Sequence, residues 1–389
     1  MARVFPSPEE PQQQKRARPP PRLRSLPPRR TQSAELQRVC AENTTLKEEL
    51  ARLKTAPANP KLHFRDNGTF TICQFTDIHW KTGRACIGRD ALVREMMVAV
   101  LKQSSPDLVL LTGDLVHGEV LSELAAVESL RAVVEPLEAA RVPWAAVFGN
   151  HDDAEGKHDK LLLFQRGFRQ EHSMCVMEAG PDEVSGVGNY LLQIATSAVD
   201  ETPAAALYCL DSGALAPEET GGYAWIQDDQ VRWFQETAST HQTHLLPCFA
   251  FFHIPIPEYT TMWRQRSTNV VGECNESISC PKVNSGFFTA ARRHGVCAMF
   301  CGHDHTNDFD GVYEGVRLVY GRVSGWPDEN KMGRGRFTRG ARIIQLRRGV
   351  KEFDTWLCLA DGRTIHQWQP QHTPLSIRVA RALAKVFCY

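Results

Sequence analysis

Five times in this chain an apolar run stops on a cluster of aspartate, asparagine or histidine, and any fold for the sequence has to account for where those five ends go. The runs are FTICQFTD at 70–77, followed by His79; DLVLLTGD at 107–114; WAAVFGNHD at 144–152; CFAFFH at 248–253; and VCAMFCGHDH at 296–305. Short apolar runs bounded by Gly, Pro and Asn read as buried strands. Side chains two apart on an extended chain point to one side, so Asp77 with His79 can reach one ion together.

The segments between these runs predict how the strands are joined. Residues 89–103 and 122–140 carry helical periodicity, and strand, helix, strand with apolar strands implies right-handed parallel crossovers. Asp114 then falls beside Asp77, and the third run delivers Asn150, His151 and Asp152 to the same edge. Open α/β sheets place ligands at such carboxyl ends. Further strands are expected near 186–194 and 204–211, helices at 157–172, 228–241 and 287–294, and strands at 316–320, 341–346 and 353–358 that complete a second sheet. The stretch 259–283, with Trp263, Arg264 and Arg266, reads as a long polar loop overhanging the strand ends.

The ends of the chain differ from this middle. Residues 1–33 are rich in Pro, Arg and Gln and hold too few apolar residues to fold, which predicts a disordered basic arm. In 34–55, Leu36, Asn43 and Leu50 alternate with Val39, Leu46 and Leu53 as a heptad seam, a short helix capable of weak homodimerisation. A Pro/Ala/Asn linker at 56–61 precedes the main domain at 62–370, and 371–389 reads as a packed or surface helix.

Composition narrows the partners. Lys+Arg and Asp+Glu are 45 each, so no global field draws in nucleic acid. No apolar run is long enough for a membrane span, and the N-terminus lacks a signal-peptide core, so a cytoplasmic protein is expected. Of the 12 cysteines, several sit inside apolar runs as small core residues; Cys274 and Cys280, flanking a polar loop, are the pair placed to form a disulfide.

Taken singly, Asp77 could cap a turn, Asn150 could sit in a left-handed bend and His253 could be a satisfied core histidine. Together, Asp77, His79, Asp114, Asn150, His253, His303 and His305 make seven O and N donors on five strand ends, more than one ion needs. Two divalent ions about 3.5–4 Å apart with a shared carboxylate can clamp a phosphoryl group and generate hydroxide at neutral pH. Hard donors without thiolate suit Mn, Fe or Zn. His151 stands beside this set as a donor to a substrate oxygen.

Through FTDIH, TGD, FGNHD, FFHIP and CGHDH the sequence resembles the calcineurin-like metallophosphoesterases over about residues 62–370, and FFHIPIPE, ESISCPKVNSG and GHDHTNDF are similar to their purple acid phosphatase-like branch of plants and fungi. The resemblance implies an α/β fold, a four-layer αββα sandwich, with two divalent metals. It implies that Asp77, His79 and His305 hold one ion, Asn150, His253 and His303 the other, and that Asp114 bridges both. His151 and Asp114 would be the catalytic residues, His151 by stabilising the transition state or protonating the leaving alkoxide while a metal-activated hydroxide attacks in line.

The expected substrates are phosphomonoesters, small or on proteins. Phosphodiester hydrolysis and a catalytically silent metal-binding scaffold that dimerises through its heptads are the alternatives. Purple acid phosphatases carry tyrosine three residues after the bridging aspartate, where this chain has His117, so no purple chromophore is expected. Phosphoprotein phosphatases put there an aspartate that orients the catalytic histidine; Asp152 or Asp304 is the candidate substitute. Arg322, Arg334, Arg336 and Arg339 read as solvated charge or as substrate-phosphate ligands.

Overall fold

The computed structural model describes residues 60–82, 87–120, 122–169, 172–265, 270–326 and 337–367, all within one compact unit, Pro57–Tyr389. The expected arm, heptad seam and C-terminal helix lie outside them, as do Arg266, Arg334 and Arg336.

Among the described residues twelve strands form two six-stranded sheets. In chain order they are β1 (Thr69–Phe75), β2 (Leu108–Thr112), β3 (Trp144–Val147), β4 (Tyr190–Ala195), β5 (Pro203–Cys209), β6 (Cys248–Phe251), β7 (Val296–Cys301), β8 (Asp310–Tyr313), β9 (Val316–Tyr320), β10 (Gly340–Arg347), β11 (Val350–Leu359) and β12 (Thr364–Ile365). The first sheet runs β12-β11-β10-β1-β2-β3 and the second β4-β5-β6-β7-β9-β8. β1, β2 and β3 are parallel, as are β5, β6, β7 and β9. Helices α1 (Ile87–Ser104) and α2 (Glu123–Ala140) make the two crossovers between the parallel strands β1, β2 and β3 of the first sheet.

Strand alternation shows how the layers stack. Phe249 and Phe251 of β6 and Phe300 of β7 join the core shared with β1, β2 and β10, while Ala250, Phe252 and Met299 face a second core. That second core is filled by helices α4 (Asp228–Thr240), α5 (Pro257–Gln265) and α6 (Phe287–Arg293) through Phe234, Tyr259 and Phe287. Both faces of the strands are thus buried, which is why they read as near-continuous apolar runs. The result is the expected four-layer αββα arrangement.

Four expectations are corrected. β10 and β11 belong to the first sheet, β10 pairing antiparallel with β1, and only β9 of the three late strands completes the second. The supposed loop at 259 opens as helix α5, whose Tyr259 and Met262 are buried. Cys274 and Cys280 are free thiols; Cys274 donates to the Glu276 carbonyl and Cys280 lies 3.4 Å from the Thr260 hydroxyl. The helix expected at 157–172 is one short turn, α3 (Lys160–Leu163), continued by a π-helical turn at Phe164–Arg169.

Candidate metal centre

The carboxyl ends of β1, β2, β3, β6 and β7 converge where the two sheets meet. Backbone bonds set the register: Asp77 N–H donates to the Gly113 carbonyl at 3.0 Å and His79 N–H to the Asp114 carbonyl at 2.9 Å. Gly302 N–H donates to the His253 carbonyl at 3.0 Å, doing the same between β6 and β7. The segment 321–325 then laces the second sheet to the first through Ser324 N–H to Thr76 O and Gly325 N–H to Asp77 O, both 2.9 Å.

Two donor groups result. Asp77, His79, Asp114 and His305 each bring a ligand atom within 4.8 Å of the others, and so do Asp114, His253 and His303. Asp114 is common to both. Its Oδ2 stands 3.2 Å from His253 Nε2, 3.7 Å from His79 Nε2 and 3.9 Å from His151 Nε2. Asn150 follows β3 on the turn whose His151 N–H donates to Asp114 Oδ1 at 2.9 Å. The backbone is held in the left-handed region at Asp77, His79, Asp114 and His303, with φ of 53, 50, 52 and 79°. For residues other than glycine that conformation is strained, and such strain concentrates at functional sites.

Buried polar atoms without a partner test whether cations fit. Asp114 Oδ2, Asn150 Oδ1 and His303 Nε2 are fully buried and make no hydrogen bond among the described residues. Orphaned lone pairs of this kind cost free energy unless an ion or water meets them. Oxygen and imidazole donors in two sets sharing one carboxylate are the chemistry of a divalent pair, so the residues fit the group.

Ordinary second contacts aim these donors. His253 Nδ1 donates to the Thr112 carbonyl at 2.8 Å, which turns Nε2 toward Asp114. The Asp77 carboxylate accepts from the Thr76 hydroxyl at 2.8 Å and from His303 N–H at 3.1 Å. Asp152 accepts from the amides of Leu115, Val116 and Gly149 at 2.7–2.9 Å, stapling the turn after β2 to the turn after β3. Burial pushes the Asp77 carboxyl up to about 8, with the His253 charge opposing and Asp114 adding to it. Burial acts upward on Asp114 too, but the charges of His253, His151 and His79 outweigh it and hold the carboxyl well below its usual range. His253 is the complement: burial lowers it, and Asp114 prevails and raises it to about 9. Burial drives His79 and His303 well down, leaving their lone pairs free.

The other candidates separate. His151 is 31% exposed and its ring lies 5.3 Å from that of His79. Neither proposed orienting aspartate bonds its ring: Asp152 is consumed by three amides, and Asp304 accepts from Tyr320 Oη at 2.6 Å and from Ser279 N–H. His151 Nδ1 is buried without a hydrogen-bond partner. His117 accepts from Glu119 N–H at 3.2 Å and sits edge-on to His79, 5.7 Å between ring centres. Arg322 and Arg339 are neither solvated nor free for phosphate. Arg322 is buried in an ion pair with Asp308 beneath Phe337, and Arg339 lies over Trp326 and donates to the Ser324 carbonyl.

Two residues escaped the sequence reading. Gly118 lies against His151: a Cβ there would meet Nδ1 at 2.4 Å. Tyr223, between the strand expected at 204–211 and the helix expected at 228–241, packs on His303 with ring centres 4.3 Å apart. A glycine after His117 could have been noticed; nothing local marks Tyr223.

With the geometry established, the chain can be set beside known proteins. A family profile described as calcineurin-like phosphoesterase matches residues 70–307. An Arabidopsis thaliana protein named "Probable inactive purple acid phosphatase 28" is 33% identical over 338 residues, covering 78% of this chain and 81% of that protein. "Phosphatase DCR2" of Saccharomyces cerevisiae is 31% identical over 325 residues, 76% of this chain and 54% of that one. Among solved structures, a dimetal phosphatase from Danio rerio superposes with a TM-score of 0.48 at 14% identity, over 77% of this chain and 99% of that chain.

Proposed function

The chain belongs to the calcineurin-like phosphoesterase family, and from that premise we propose that it is a two-metal phosphatase of phosphomonoesters, phosphoproteins among them. The observation that carries the reading is the set of buried donors without a hydrogen-bond partner, Asp114 Oδ2, Asn150 Oδ1 and His303 Nε2, around a carboxylate common to two ligand groups. Asp77, His79 and His305 would hold one ion, Asn150, His253 and His303 the other, and Asp114 both. A bound divalent pair supplies charge against the phosphoryl oxygens and makes water acidic enough to attack near neutral pH.

The chain's own residues do the rest. His253, tied to Thr112, and Asp77, tied to Thr76 and His303, keep the donors from rotating when substrate enters. His151 turns Nε2 toward Asp114 and is partly open to solvent, so an imidazolium proton at Nε2 can pass to the leaving oxygen of an ester held over Asp114. The word phosphatase in the yeast relative's name supports an active hydrolase.

The test is to load the full chain with Mn, Fe or Zn, count ions, and assay aryl phosphate mono- and diesters. Two bound ions with monoester turnover are expected. His151→Ala should keep both ions and lose about 100-fold or more in kcat, the usual range for a general acid. Full occupancy without hydrolysis of any phosphoester overturns the proposal. It would leave the second reading, a silent metal-binding scaffold, which the word "inactive" in the Arabidopsis relative's name favours; such a protein is indifferent to His151→Ala.

A further inference from the structure

The hairpin that follows β5 closes one flank of the centre. Residues 213–224 fold back on themselves: Leu215 bridges Tyr223, Ala216 N–H donates to Gly222 O and Ala224 N–H to Ala214 O, both 3.0 Å. Lys282 donates to the Thr220 carbonyl at 2.7 Å, pinning the tip to the loop between α5 and α6. This stem sets the Tyr223 ring at 88° to His303, 4.3 Å between centres. The phenol lies near enough to Asp304 and Asp114 for their charges to act on it. Its hydroxyl makes no hydrogen bond to a described residue, whereas the buried Tyr190, Tyr208, Tyr259 and Tyr320 all spend theirs on protein partners.

We propose that Tyr223 contacts the substrate, its O–H donating to the phosphoryl group of a bound ester from the His303 side of the centre. His151 stands on the His79 side. A phosphoryl group over Asp114 is then held between an imidazole and a phenol, one from each sheet's loops. A phenol is the right donor: it is protonated at neutral pH, ordinarily ionising near 10, and its ring is already held by packing, so little freedom is lost on binding. The proposal rests on the two-metal phosphatase reading above.

The test uses the full, metal-loaded chain and reads inorganic phosphate binding by calorimetry beside KM for an aryl phosphate. Tyr223→Phe keeps the ring against His303 and removes only the O–H; it should retain both ions and weaken phosphate binding and raise KM by about ten-fold, as loss of a hydrogen bond to a charged group does. Tyr223→Ala should weaken both at least as much. If Tyr223→Phe matches the wild type and only Tyr223→Ala is impaired, the residue is packing for His303 and the proposal falls. If the wild type binds phosphate but hydrolyses no ester, the phosphatase reading fails while the Phe comparison still decides the role of Tyr223. A wild type that binds no phosphate overturns both.

Discussion

At the residue scale the chemistry turns on groups that must lose protons before they can accept an ion. His253 is raised to about 9 by Asp114 despite its burial, and Asp77 is raised to about 8 by burial. Ion uptake needs the free Nε2 of the first and the carboxylate of the second. Below pH 8, therefore, binding should release protons, and affinity should climb as pH rises toward 9. Calorimetry in buffers of different ionisation enthalpy checks this; uptake without proton release at pH 7 contradicts it. The convergence of the candidate donors was legible, because Asp77, His79, Asp114, Asn150, His253, His303 and His305 each follow an apolar run directly. Tyr223 was not, since it comes from a hairpin whose partner, His303, is distant in the chain. The neighbours of Asp152 and Asp304 were equally hidden: a carboxylate's choice between a histidine ring and three backbone amides depends on the turn geometry, which spacing does not encode.

At the scale of elements, the strand-terminal turns tolerate no added bulk. A Cβ on Gly302 would stand 1.9 Å from Thr76 Oγ1 and 2.8 Å from Asp77 Oδ2. Gly302→Ala should therefore cost about 2 kcal/mol through overpacking and weaken ion binding at the Asp77 group; thermal melts and ion titration test both. A second element depends on Lys160 at the start of α3. Its ammonium, 12% exposed, lies 2.9 Å from Asp211 after β5 and 3.7 Å from Asp153 after β3, joining turns from opposite sheets. Lys160→Met leaves those carboxylates unmatched and should destabilise by about 3 kcal/mol. Asp211 and Asp153 outweigh the burial that acts against the charge and raise the lysine above its usual 10.5. That contribution is complete below pH 10.5 and fades as pH rises through the higher folded value, which urea melts against pH would trace. Strands and helices were mostly readable from period and Pro/Gly punctuation. The sheet membership of β10 and β11 was not: β10 is buried on both faces and reads the same beside any neighbour, and the alternation of β11 does not say which strand it pairs with. Helix α5 was missed because its single buried stripe, Tyr259 and Met262, is too short to show a period.

Across the described unit, the candidate ligands divide by sheet. Asp77, His79, Asp114 and Asn150 come from the first, His253, His303 and His305 from the second. Ions bound at that seam favour the folded state by mass action, so loading should raise the melting temperature and chelation should lower it, by an amount that grows with free ion concentration. A melting temperature indifferent to metal would contradict the shared-carboxylate geometry. The four-layer plan was legible through the family resemblance, and the doubly buried strands agree with it; the lacing of 321–325 across the two sheets was not, being carried by backbone bonds and the Ser324 hydroxyl, which no spacing marks.

One consequence follows from Asp114 facing His253 across the boundary between sheets. Neither half of the sandwich carries the whole set of candidate ligands, so ion binding there would require both sheets in their final alignment. Competence is thus a gauge of correct assembly: a displacement of one sheet by a fraction of a strand repeat would silence the centre while leaving every local turn intact.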